Sequence, residues 1–365
     1  MKQIPPHLQV SPYFAFFLIH SSQVGVGIIG FQRIIAKSAG YNAWIGLIIA
    51  GVATNVLIWI MYRLLNCAKG DITDIHRELF GKWIGGFINT IIIFYFLMAC
   101  VSVLRGYIEV VQVWMFPGIQ TAVLALLFLI LSYYIISAGF RTVAEICFLS
   151  VIIPFFIVIG LFLPIKYSHW DNLLPLLNHS FPALLQSAKD SAYTLAGFEV
   201  LLMFYPFIKN ASSSHRYAQW GVTFTTILYL FSTLFTFAFF SEMQLSQTIW
   251  AQLSMFKVIS FSFLQRWEYL AVSAYAFVII SNIVLPLWMA SRGAKKVFRI
   301  QQKYTLFVSL VVVMIVCEML NDRYTMNTFF NGVAQFDLYF IGVYIPILTG
   351  VYLLYKRRKQ KHEAG

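Results

Sequence analysis

Four ionisable side chains, Arg105, Glu109, Glu145 and Glu199, fall inside long apolar runs. Charge in hydrocarbon is costly, so each of them must be paired, close to a surface, or used. Arg105 and Glu109 stand four residues apart. On a helix that spacing puts them on one face and predicts an intramembrane ion pair in which each reduces the other's desolvation cost. Glu145 is four residues from Arg141 near a span end, where local pairing or snorkelling accounts for it, and Glu318 reads the same way. Glu199 differs because it follows Gly197. A carboxylate at a glycine-interrupted helix can bind a ligand ammonium, take up a proton or hold the broken helix together.

Two glycine interruptions carry the rest of the chemistry. The first is Gly25-Val26-Gly27-Ile28-Ile29-Gly30; the second is Ala196-Gly197-Phe198-Glu199. Glycine lets a backbone leave the helix and approach a ligand, and the half-helix that follows offers unpaired N–H groups to a carboxylate. Carbonyls freed near Gly197 can accept from an ammonium or coordinate a cation. Small residues also permit close helix packing, and for either site alone that competes with the binding reading. Their matched positions favour binding. The expected ligand contacts are therefore Gly25, Val26, Gly27, Ala196, Gly197, Phe198 and Glu199.

The first interruption also fits G-x-G-x-x-G, but the nucleotide fingerprint needs a preceding strand and an acid about 20 residues on. The next acid is Asp71, and the motif lies in a membrane-length apolar run.

The elements that must position these groups are membrane helices. The 365 residues are 60% apolar and 11% charged, outside the range of soluble domains. Apolar runs of about 20 residues recur from one end to the other. They predict spans near 10–32, 43–62, 84–115, 120–139 and 143–165, then a polar connection over 166–189. Spans near 190–208, 218–241, 267–290, 304–321 and 336–355 follow. The expected fold is all-α and integral to the membrane. About ten helices form one domain (1–365) as a 5+5 inverted repeat, with repeats near 10–165 and 190–355, broken first and sixth helices and a basic tail over 356–365. The 85–114 stretch exceeds one crossing and is expected to tilt. A mixed stretch from Ser246 to Leu264 reads as an interfacial amphipathic helix or a loop.

Basic residues are unevenly shared. With the amino terminus inside, about 18 of the 26 fall on one face, Lys2 and the 356–361 tail among them, so both termini are expected to be cytoplasmic. The first run is too long for a signal-peptide core and is expected to remain as a helix. The charge of +12 does not point to nucleic acid, because the 35 Phe and 20 Tyr lie mostly in apolar runs. Cys67, Cys100, Cys147 and Cys317 lack metal-ligand spacing and read as packing residues. Neither H-E-x-x-H nor G-x-S-x-G occurs, so no enzyme, metal or cofactor is expected. Ser273 and Ser281 can serve a sodium site, although membrane serines more often make local bonds.

The first-helix stretch Gln23-Val24-Gly25-Val26-Gly27-Ile28-Ile29-Gly30 resembles the signature of the endospore germination permease family. These are the B subunits of nutrient germinant receptors, within the amino-acid, polyamine and organocation transporter superfamily. Ala39-Gly40-Tyr41-Asn42-Ala43-Trp44-Ile45, Phe80-Gly81-Lys82-Trp83-Ile84-Gly85, Asn172-Leu173-Leu174-Pro175, and Gly197-Phe198-Glu199 with Pro206 are similar to further family motifs in the same order. Phe31-Gln32-Arg33 departs from the family's Leu-Pro-Arg, and the 143–165 span lacks the lysine that some members of the superfamily use in place of a cation. The resemblance implies a spore inner-membrane subunit, its termini on the spore core side. It would sense a small nutrient such as an amino acid beside an A subunit and a lipoprotein C subunit, without necessarily transporting it. A free-standing amino-acid transporter is the alternative, and a ligand-free structural subunit is a third class.

Overall fold

A computed structural model of the chain describes residues 4–259 and 266–364. Those residues are helical, apart from loops and an isolated parallel bridge between Val10 and Ile208. The first apolar run is split into α1 (Phe14–Gln23), a 3-10 turn (Val26–Ile29) and α2 (Gln32–Ala39). Then come α3 (Ala43–Ala68), α4 (Ile72–Trp114), α5 (Thr121–Ser137), α6 (Phe140–Ile152) and a short helix, Phe155–Gly160. The second broken run comprises α7 (Phe181–Thr194), a 3-10 turn (Phe198–Val200) and the helix Leu201–Phe204. It is followed by α8 (His215–Phe239), α9 (Trp267–Phe298), α10 (Gln302–Met319), α11 (Arg323–Tyr339), a π turn (Phe340–Tyr344) and α12 (Ile345–Ala364).

Among the described residues, seven helical stretches are long and apolar enough to cross a membrane, with Thr121–Ser137 and Phe198–Phe207 apolar but shorter. α9 is the central element, packing along α4, α6 and α10. Its Pro286 has no N–H for the carbonyl four residues earlier, that of Asn282.

Three expected boundaries move. The helix that resumes after the first break runs on to Ala39, where Gly40 (φ 48°) turns the chain into α3. The end of the expected 166–189 connection is helical. Lys189 and Asp190 give α7 a loop-like hydropathy, yet Leu184, Ser187, Ala188 and Ser191 are buried at helical spacing. The last run begins at Arg323 rather than near 336, because polar side chains such as Asn327 and Gln335 dilute α11 without breaking it. The Ser246–Leu264 stretch holds the end of one short helix, Glu242–Gln247, and the whole of another, Ala251–Phe256; its residues 260–264 lie outside the described part, as does Lys2.

α4 starts with a capping box. The Asp71 carboxylate accepts from the N–H groups of Thr73 and Asp74, and the Asp74 carboxylate accepts from Asp71 N–H. Lys296 of α9 lies 2.7 Å from both carboxylates. Burial alone would raise the Asp71 carboxyl, but the Lys296 ammonium, the Thr73 hydrogen bond and nearby Arg292 together hold it below the usual carboxylate range. At Gly81 (φ 74°) α4 kinks before its long crossing section.

Candidate ligand site at the first helix break

After Gln23 the first run leaves the helix. Val24 and Gly25 are extended, and the next hydrogen bond is donated by Ile28 N–H to Gly25 O at 3.3 Å. The N–H groups of Val26 and Gly27 thus precede the first closed turn and have no intrahelical acceptor. The freed carbonyls are better provided for. Asn282 Nδ2 is 2.8 Å from Ser21 O and 2.9 Å from Val24 O, Tyr229 OH donates to Gln23 O at 3.0 Å, and Tyr275 OH donates to Gly25 O at 2.8 Å. α8 and α9 therefore hold this break open through side chains.

Beside it is a mostly apolar cavity of about 70 Å³, several times the roughly 10–15 Å³ that one water centre needs. Val24, Ile28, Ile29, Phe224 and Phe256 are among its apolar lining, while His20, Tyr275 and Gln252 bring polar groups to it. A Cβ built on Gly27 would meet nothing within 4 Å, and one on Gly25 would meet only Asn282 at 3.7 Å. Val26 turns away, towards Gly106 of α4. At the far end, Gly30 lies against the Ile249 carbonyl, and the neighbouring Trp250 ring is 5.2 Å from the Arg323 guanidinium.

The second break is built differently. Gly197 has φ 111°, and a Cβ there would collide with the Ser22 carbonyl, so glycine is required by both backbone and neighbour. Gln23 Nε2 donates to Leu195 O at 2.6 Å, which ties the two breaks directly. Glu199 is buried and engaged at both oxygens: Oε2 accepts from Gly197 N–H at 2.9 Å and Oε1 from Tyr95 OH at 2.9 Å. The same hydroxyl also contacts Asp337 of α11. A phenol has one proton to donate, so this three-oxygen array is complete only when one carboxyl group supplies a second hydrogen.

The structure thus brings all the expected site residues into one region but divides them. None of the seven lines the cavity: Gly25, Val26 and Gly27 lie between Val24 and Ile28, which do line it, whereas Ala196, Gly197, Phe198 and Glu199 have no neighbour in sequence among the lining residues. The expected pairing of Arg105 with Glu109 is corrected. Glu109 pairs with Arg323 at 2.9 Å, and buried Arg105 donates from Nε to Leu320 O at 2.9 Å. An i,i+4 spacing permits a contact; here the turn between α10 and α11 brings in better-placed partners for both. Glu145 and Arg141 are exposed, and Arg141 reaches His7 O rather than the carboxylate. Ser281 bonds Val278 O within its own helix, and Ser273 reaches only Met115 Sδ, at 4.0 Å.

Residues 9–326 match the sequence family described as spore germination protein. The chain belongs to the spore germination permease family. It is 45% identical to the spore germination protein GerQB of Bacillus cereus over 95% of this chain and 97% of that one. It is 24% identical to spore germination protein A2 of Bacillus subtilis (strain 168) over 84% and 85%. Among solved structures, MhsT in complex with L-phenylalanine superposes with a TM-score of 0.68 at 14% identity, over 97% of this chain and 90% of that one. A Na+-coupled sialic acid symporter in a substrate-bound outward-open state gives 0.63 at 11%, over 95% and 79%. The spore germination permease described here is thus an integral membrane protein with a transporter's fold.

Tyr95, Asp337, Asn282, Tyr229 and Tyr275 complete the region and were not singled out by sequence. Asp337 carried a usable signal, an acid in an apolar run, but the expected span began only at 336 and left it at the edge.

Proposed function

We propose that this chain is the nutrient-sensing, permease-like B subunit of a spore germination receptor. It binds a small molecule such as an amino acid at mid-membrane, in the cavity beside the first break. Kinship with spore germination proteins over nearly the full length carries this reading. An apolar cavity next to two N–H groups without helical acceptors suits a ligand with an apolar body and a carboxylate. Gly25, Val26 and Gly27 supply backbone contacts; Ala196, Gly197, Phe198 and Glu199 hold the first break from behind. The chain forms one domain with a 5+5 inverted repeat, both termini on the spore core side of the inner membrane, beside an A subunit and a lipoprotein C subunit.

A ligand that favours one of two conformations shifts their populations, which is enough for sensing without transport. Deleting the chain should abolish the spore's response to one nutrient class and leave nutrient uptake by growing cells unchanged. The purified chain should also be stabilised by that nutrient within a small-nutrient panel. The fold shared with MhsT and the symporter favours a second reading, a free-standing amino-acid transporter. Substrate accumulation by the chain alone in vesicles, with normal germination after deletion, would decide for that alternative.

A further inference from the structure

Away from the breaks, at the end of the bundle that carries α12's basic tail, a recess of about 350 Å³ opens between the start of α4 and the end of α9. Four basic side chains line it, Arg77, Lys82, Lys296 and Arg299, against one carboxylate, Asp74. Lys296 is committed to Asp71 and Asp74 at 2.7 Å. No ion pair among the described residues engages Arg77, Lys82 or Arg299, all of which are exposed. The recess is therefore a cationic mouth with three uncommitted donors.

What continues from this mouth decides the ligand. Beyond the Gly81 kink, Trp83, Phe87, Ile91 and Phe94 on the crossing section of α4 form an exposed apolar stripe at helical spacing. Trp83 is 85% exposed and Phe87 69%, and both also line the recess. A basic cluster leading directly into an apolar stripe matches an anionic head joined to acyl chains. Free phosphate would leave the stripe uncovered.

We propose that this recess binds an anionic phospholipid, its phosphate held by Arg77, Lys82 and Arg299 and its chains lying along Trp83 and Phe87. The site lies apart from the nutrient cavity. Lipid bound here bridges the kinked start of α4 to the end of α9, the two helices that Lys296 already ties.

The test uses the purified full-length chain in neutral detergent, with phosphatidylglycerol, phosphatidylcholine or inorganic phosphate added, and reads melting temperature together with retained lipid by native mass spectrometry. Phosphatidylglycerol should raise the melting temperature and be retained, whereas phosphatidylcholine and millimolar phosphate should do neither. Arg77→Gln, Lys82→Gln and Arg299→Asn, at exposed positions where folding is spared, should each weaken retention roughly fivefold. The tail pair Arg357→Gln and Arg358→Gln should leave it unchanged. Equal retention of the two lipids by the wild type, a matching shift with phosphate alone, or phosphatidylglycerol retention that survives the combined recess variant would each overturn the proposal. The wild-type lipid comparison stands whether or not the variants fold.

Discussion

The two glycine interruptions look alike as strings of residues and are built as opposites. At 24–27 the chain leaves the helix into space: Gly27 has no neighbour where a side chain would go, and the freed carbonyls are held at arm's length by Asn282, Tyr229 and Tyr275. At 195–199 it leaves the helix into contact, with Gly197 pressed on the Ser22 carbonyl and Glu199 clamped by Gly197 N–H and Tyr95. One break faces a cavity and the other buttresses it. A glycine break thus marks where a backbone can be exposed, and its neighbours decide whether it is.

Substitutions should separate the two breaks by size of effect. Gly197→Ala adds a Cβ at positive φ against a backbone carbonyl and should cost about 3–5 kcal/mol, read as loss of folded protein from the membrane. Normal yield and thermal stability for that variant would remove the buttress. Tyr95→Phe takes away the hydroxyl between Glu199 and Asp337 and should cost about 2–3 kcal/mol in thermal unfolding. Little change would mean the two carboxyl groups can reach each other or water without it. Tyr275→Phe leaves the Gly25 carbonyl with only the longer bond from Ile28 N–H, at a cost of about 1 kcal/mol, and should weaken nutrient binding more than Tyr95→Phe does. The reverse order of binding losses would place the ligand at the second break. Gly27→Ala should shift stability by less than about 1 kcal/mol, since nothing stands in the way. The larger Gly27→Val should fold and yet fail to be stabilised by the nutrient. A Gly27→Val chain absent from the membrane would point to packing at the first break as well.

Much of this architecture could be read from the residues. Apolar runs located the helices, and Gly25, Gly27 and Gly197 located both breaks, because a helix interruption needs residues whose local conformational freedom is visible in sequence. Asymmetry between the breaks was not visible. It depends on Ser22 lying under Gly197 and on Tyr95 meeting Glu199 and Asp337, contacts between residues more than a hundred positions apart. Arg105 and Glu109 show the same limit, since their spacing describes one helix while Arg323 and Leu320 come from the turn between two others. α7 was hidden for another reason. Its buried stripe has helical period, but its mean polarity reads as loop when hydropathy alone is used.

The isolated bridge at Val10 has a mechanical consequence. Val10 N–H donates to Phe207 O at 2.8 Å and Val10 O accepts from Lys209 N–H at 2.9 Å, so the stretch before α1 is stitched to the end of the second broken run. Side-chain contacts between helices can slide by repacking, but a pair of backbone bonds resists shear along the strand direction. The start of the first broken run and the end of the second are therefore yoked, and any rocking of one drags the other with it. With Gln23 also donating to Leu195 O at the breaks themselves, the two runs are tied at two levels and are built to move as one unit.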